Sequence, residues 1–259
     1  MKDHIKSFLD HLQTAGYSER TVSDYRYNLA YFTDWLTSQG IENLTAVSAQ
    51  HISAYQQYLF HEYTPKRKKT LSPGFQINLL KVIKPLFRWL VKTGAMLHNP
   101  SADLTLPRLP RRIPRGIMTK REVRKILKVP DLSTPSGKRD RLILELLYAT
   151  GIRKSELINL RTRDIDISTR EITIRAGKGG HDRTVPLAVK AARHLAVYVR
   201  DAREKLLREH KSDYLLINDR GRKLDKHAPG RLVAKCRASA RLKKHITTHS
   251  FRHTCATHL

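Results

Sequence analysis

Cysteine is nearly absent from the 259 residues: only Cys236 and Cys255 occur, and no CxxC pair is present. A disulfide framework and the usual zinc modules are thereby excluded, and a reducing compartment, the cytoplasm, is expected. No run approaches the ~18 consecutive apolar residues of a membrane helix, and the opening MKDHIKSFLD is charged where a secretory signal would be apolar. There is no GxxxxGK followed by Ser or Thr, so ATP use through a P-loop is not indicated, and nothing resembles a Ser-His-Asp arrangement. Acidic residues are scarce as well. Against 50 Lys and Arg stand 23 Asp and Glu, a net charge of +27. A metal-dependent nuclease would need clustered carboxylates, whereas the candidate sites here are cationic. The charge is far above the ~2–8 suited to a small soluble domain. Such an excess repels itself in the compact state and implies a polyanion that neutralises it, with nucleic acid as the leading partner.

What is present is ample for a core: 40% of the residues are hydrophobic, so disorder is not expected as the main state. The charge is unevenly spread, with 13 basic and 8 acidic residues in 1–110 (+5) and 37 and 15 in 111–259 (+22). Between the halves, HNPSADLTLPRLPRRIPRG (98–116) holds four prolines and four arginines without helical or strand period. These features predict a helical domain over 1–105, a linker over 106–116 and a second domain over 117–259. The linker arginines either track phosphates or are simply solvated.

The first domain reads as a four-helix bundle. One helix covers Met1 to Gly16. Ser18 caps a second, with Tyr25, Leu29, Phe32 and Trp35 on its buried face and Gly40 after its end. A third spans Ser48 to Tyr63. The fourth starts at Ser72-Pro73 and turns Leu79, Ile83, Leu86 and Leu90 inward, and Pro85 predicts a kink or break in it. Lys81, Lys84, Arg88 and Lys92 lie 3, 4 and 4 apart on another stripe of that helix. That stripe is either an ordinary solvated face or, with Lys66, Arg67, Lys68 and Lys69 just upstream, a DNA-facing one. The second domain mixes types. Helices are expected over Arg121–Val129 and Arg139–Thr150, and EITIRA (Glu171–Ala176) and RTVPL (Arg183–Leu187) form a β-hairpin around GKGGHD. A long amphipathic helix follows over Ala188–His210, then a short strand at DYLLIN, then helices from about His227 and His249. The fold class is mainly α with a small antiparallel sheet.

Three clusters carry candidate chemistry. Arg153 follows Ala149-Thr150-Gly151, with Glu156 one turn on; taken alone, such a pair is most often a surface ion pair. Lys178 sits among Gly177, Gly179 and Gly180 at the hairpin tip, where glycine allows close backbone approach to a ligand. In HSFRHTCATHL at the C-terminus, a helix would place His249 and Arg252 on one face. His249 and His253 are four apart, but neither an HExxH glutamate nor a third ligand at fixed spacing accompanies them, so no metal is expected.

In chain order these segments resemble the tyrosine recombinase (phage integrase) family, most closely its Xer-like members. LYATGIRKSELINLRTRDID (Leu147–Asp166) is similar to the family's first box, which implies a catalytic role for Arg153 and a supporting one for Glu156. AGKGGHDRTVPL (Ala176–Leu187) is similar to the hairpin carrying the catalytic lysine, here Lys178, and THSFRHTCATHL resembles the second box, HxxR, giving His249 and Arg252. The helical first domain looks like the family's core-binding domain. The family pattern continues with a nucleophilic tyrosine on a later helix, yet all ten tyrosines here, the last being Tyr214, precede the second box. Tyr148 is near Arg153 in sequence but stands at a helix-core position of the pattern.

The resemblance implies cleavage and rejoining of double-stranded DNA through a 3′-phosphotyrosyl intermediate that stores the bond energy, with no metal or nucleotide cofactor. It implies a homo-tetramer on paired sites, and, for these 259 residues without the tyrosine, DNA binding without cleavage. A non-catalytic DNA-binding or regulatory protein would carry the same charge.

Overall fold

The computed structural model describes residues 1–63, 71–107, 116–175 and 182–258. The chain divides into two compact units, Met1–Arg111 and Arg112–Leu259, each with its own core.

The first unit is helical among its described residues. Helices α1 (Lys2–Thr14), α2 (Glu19–Ser38) and α3 (Ala49–His61) are followed by α4 (Pro73–Lys81) and α5 (Ile83–Lys92). Ser18 and Ser48 cap α2 and α3 through their side chains, and Ser72 caps α4 ahead of Pro73. The fourth expected helix is present in two pieces, and the break at Val82 has a local cause. Pro85 has no N–H to give the carbonyl of Lys81, four residues back, and its ring crowds that carbonyl. Phe8, Leu29, Phe32, Leu36, Tyr55, Leu79, Leu86 and Phe87 fill the core. Its rings meet tilted or edge-on, as Phe32 and Tyr55 do at 4.9 Å between centroids. Leu104 is buried in this core, and Gln56 Nε2 donates to the Thr105 carbonyl, so the chain after α5 is held to the first unit.

The second unit is built around α7 (Pro135–Thr150), which packs against α9 (Val189–Val197), the segment after it, and α12 (Thr248–His258). Helices α6 (Lys120–Leu127), α8 (Lys154–Asn159), α10 (Glu204–Leu207) and α11 (Ala228–Ser239) surround it. Three short strands, β1 (Ile165–Asp166), β2 (Glu171–Ile174) and β3 (Arg183–Pro186), form an antiparallel sheet in the order β1-β2-β3. Ile172 pairs with Val185 and Ile174 with Arg183, which turns Ile172 and Ile174 into the core. The chain is thus mainly helical with one small antiparallel sheet.

Two sequence expectations need correction. The long helix over Ala188–His210 is Val189–Leu207, and it widens to a π-helix over Tyr198–Arg203. In that stretch Tyr198 Oη donates to the Leu215 carbonyl, and Arg203 donates to the carbonyls of Ser212, Tyr214 and Leu215. DYLLIN is not a strand. Tyr214 makes one isolated bridge to Arg161, where the Thr162 N–H donates to the Asp213 carbonyl and the Leu215 N–H to the Leu160 carbonyl, and Ile217 makes one to Lys223, while Arg203 takes the Tyr214 and Leu215 carbonyls.

Candidate active site

The site begins where α7 ends. Gly151 closes that helix in the left-handed region (φ 56°), where a side chain would be strained. A Cβ there would also meet Cys255 Sγ at 3.4 Å and Arg252 Cγ at 3.6 Å, so α12 lies directly on this turn. Two residues later Arg153 opens α8. The Glu156 side chain folds back to accept the Arg153 backbone N–H at 2.9 Å, the return half of a capping box, and it also accepts Arg153 Nη1 at 2.9 Å.

Glu156 has a second cation. Arg183, on β3, presents its planar fork to the same carboxylate, with Nη1 at 3.0 Å from Oε1 and Nη2 at 2.6 Å from Oε2. Each carboxylate oxygen therefore accepts two hydrogen bonds. The Glu156 side chain is 6% exposed, and such burial alone would push its pKa up. Hydrogen bonds from Arg183, from the Arg153 backbone and from the Arg153 guanidinium outweigh burial and hold the pKa down at about 2. The carboxylate is ionised throughout the neutral range. One negative charge then sits between two guanidinium groups, and the cluster keeps a net positive charge.

Arg252, half-buried on α12, donates Nη1 to the Gly151 carbonyl. That bond fixes one guanidinium against the turn that precedes the other, since Gly151 and Arg153 are two residues, at most ~7 Å of chain, apart. His249 is exposed one turn earlier on the same face of α12 as Arg252. Among the described residues Nε and Nη2 of Arg153 have no protein partner. Helix α12 is itself pinned at Thr254 Oγ1, which accepts from the Met118 backbone N–H at 3.0 Å, and near its end by His258. The structure thus pairs Arg153 with Glu156 and sets Arg252 against the turn that precedes them, with His249 one helical turn before Arg252 on α12. Lys178 lies outside the described residues.

Two family models match this chain: one described as phage integrase family over residues 117–259, the other as phage integrase, N-terminal SAM-like domain over residues 5–95. The chain belongs to the phage integrase family, the tyrosine recombinases. Among curated relatives it is 35% identical to tyrosine recombinase XerC 2 of Ralstonia nicotianae over 99% of this chain and 73% of that protein. It is 33% identical to tyrosine recombinase XerC of Oceanobacillus iheyensis over 99% of this chain and 82% of that one. A lambda integrase (75–356) dimer bound to a COC′ core site shares the fold, with a TM-score of 0.72 at 18% identity over 99% of this chain and 85% of that one. So does the XerH recombinase in its post-cleavage complex with palindromic difH substrate, with a TM-score of 0.70 at 20% identity over 92% of this chain and 68% of that one. The chain is a site-specific recombinase of the Xer kind.

The remaining sequence candidates are placed as follows. In the recombinase's first unit, Lys81, on α4, and Arg88 and Lys92, on α5, are exposed. Lys84 is half-buried and donates to the Ala102 carbonyl at 3.2 Å, so it holds the following chain as well as carrying charge. Because Val82 separates the helices, the four cations do not form a stripe of a single helix. Lys66, Arg67, Lys68 and Lys69 lie outside the described residues. His253 is exposed, and among the described residues no group of three His, Cys, Asp or Glu is placed to hold a metal ion.

Tyr148 is accounted for by packing. Its Oη lies 3.0 Å from His258 Nδ1, and burial, followed by the nearby Cys255 and Glu145, raises its pKa, which disfavours the phenolate. Arg183 was the residue that sequence reasoning passed over. It stood in view inside RTVPL, but its partner is 27 positions away, and the signal was only that Glu156 had one obvious cation where a buried carboxylate tends to recruit more.

Proposed function

We propose that the recombinase binds duplex DNA and holds one backbone phosphodiester between Arg153 and Arg252, with His249 adding a hydrogen bond. The observation that carries this reading is the Arg252–Gly151 bond, which fixes the two guanidinium groups on either side of one helix-ending turn. Attack on the phosphodiester makes phosphorus five-coordinate and adds charge to its non-bridging oxygens. Planar, permanently charged forks suit those oxygens in a way an ammonium group does not. Preorganised charge of this kind supplies several kcal/mol of transition-state stabilisation.

In this reading a tyrosine oxygen bonds to phosphorus as the P–O5′ bond breaks. Lys178 gives its proton to the departing 5′-oxygen, and His249 assists proton movement at the tyrosine. Glu156 orients the arginines and transfers no proton, as a carboxyl held at about pKa 2 is a poor acid and base near neutrality. Lys66, Arg67, Lys68, Lys69, Lys81, Lys84, Arg88 and Lys92 contribute to a DNA-facing surface on the first unit. The assembly is a homo-tetramer on paired sites, and the protein works in the cytoplasm, where the DNA is. No helix among the described residues is long and apolar enough to cross a membrane.

All ten tyrosines of these 259 residues lie at or before Tyr214, ahead of the second box. A polypeptide of these 259 residues alone, without the tyrosine that the mechanism uses, is therefore expected to bind without bonding covalently. A duplex enriched from a random pool by the protein itself serves as probe. Affinity should fall with rising salt, with a log–log slope of about −0.9 per phosphate neutralised, and a denaturing gel should show no shifted protein–DNA band. A salt-independent affinity would count against the DNA reading, and a shifted band would mean that another residue replaces the tyrosine.

A further inference from the structure

Two arginines meet one carboxylate, and they share it unequally. Arg183 takes both oxygens of Glu156 end-on, at 3.0 and 2.6 Å, while the Arg153 guanidinium reaches only Oε1 with a single nitrogen at 2.9 Å and its backbone N–H takes Oε2. An arginine beside an unshared carboxylate pairs with it through two parallel bonds, the geometry the guanidinium fork prefers. Besides Arg183, the one competitor for this carboxylate among its hydrogen bonds to described residues is the Arg153 backbone N–H on Oε2, which leaves the outer lone pair of that oxygen for a second fork prong.

We infer that Arg183 is a positioning residue for the phosphate site: by occupying both oxygens of Glu156 it restricts Arg153 to a one-pronged contact and leaves the rest of that guanidinium, and its charge, for the phosphate. The inference rests on the reading of Arg153 as a phosphate-holding group. Charge balance supports it. Arg153 and Glu156 alone sum to zero, whereas Arg153, Glu156 and Arg183 sum to +1. Arg183 thus supplies the surplus charge without facing the phosphate itself. Its own pKa is raised, first by the hydrogen bonds to Glu156 against the opposing effect of burial, as befits a guanidinium committed to a partner. Sequence position fits too, because β3 pairs with β2 in a fixed register and so delivers the fork to α8 from a rigid element.

The test uses the 259-residue chain with inorganic phosphate as probe. The Arg153 Nε–H signal is followed by ¹⁵N NMR and assigned by its loss in Arg153→Lys. In the parent protein, phosphate should shift this signal in a saturable way. In Arg183→Gln, Glu156 is free to clamp Arg153, and the half-saturating phosphate concentration should rise roughly three- to fivefold, the upper scale of losing a partly exposed charge partner. Adding Glu156→Gln to that variant removes the clamp, and the response should return to within about twofold of the parent, a coupling that independent structural damage would not produce. Arg183→Lys, which keeps the charge but not the fork, should fall between.

An unchanged response in Arg183→Gln would overturn the inference, as would a double variant worse than either single one. If Arg183→Gln does not fold, Arg183→Lys against the same Glu156→Gln background gives the same comparison. A parent protein whose Arg153 signal ignores phosphate would instead overturn the reading of Arg153 itself, and the inference with it.

Discussion

Glu156 gathers four hydrogen bonds from two arginines and a backbone amide, and the cost of burying its charge is met only while the charge is there. Its carboxyl is held at about 2, below the ordinary value of 4.5. A carboxyl depressed on folding stabilises the native state above its unfolded pKa, and that contribution is lost as pH falls through the folded one. The parent should therefore lose on the order of 2–3 kcal/mol as pH drops from about 4.5 to about 2. Glu156→Gln, with nothing to protonate, should lose less. Melting temperatures across that window check this; parallel curves for the two proteins would show that Glu156 does not drive the acid response. At this scale the sequence was half legible. That Arg153 and Glu156, and His249 and Arg252, lie three apart on a helix could be read locally, while the roles proposed for them came from the family resemblance. Arg183 reaches Glu156 only because a hairpin and a helix pack together, and no local pattern encodes that contact.

At the scale of elements, the punctuation residues were the readable ones. Ser18, Ser48 and Ser72 start helices, Gly151 ends one, and Pro85 breaks the helix expected from Ser72 at its own missing hydrogen bond. The less legible stretches owe their form to side chains of other elements. The turn from Tyr198 to Arg203 widens where two of its residues bond to carbonyls at 212–215, and the DYLLIN backbone meets residues 160–162 at a single isolated bridge rather than in a strand. One glycine carries weight that spacing does not reveal. Gly137, in the first turn of α7, sits so close to the preceding loop that a Cβ would lie 1.7 Å from the Asp131 carbonyl oxygen. Gly137→Ala should force loop and helix apart and cost several kcal/mol, at or above the ~1–3 kcal/mol typical of overpacking. Gly74→Ala, where the added atom meets nothing within 4 Å, is the control and should leave the melting temperature almost unchanged. Equal effects of the two substitutions would contradict the close approach at Gly137.

Across the whole molecule, charge and site point to the same partner. The surplus of 27 positive charges is concentrated in residues 111–259, the unit whose core carries α7, α8 and α12 and so holds Arg153 and Arg252 in place. On the proposed reading the excess drives association with duplex DNA and is screened by salt, while the arginine pair selects one phosphate within it. The net charge was plain from composition. The local site required three segments, separated by up to a hundred residues, to be folded onto one turn. The central claim is that these segments serve a single phosphate. A crystal structure of the chain with its selected duplex tests it most directly. One backbone phosphate should sit with its non-bridging oxygens within hydrogen-bonding distance, about 3 Å, of Arg153, Arg252 and His249 together; a duplex whose phosphates touch these side chains separately, or not at all, would contradict the account.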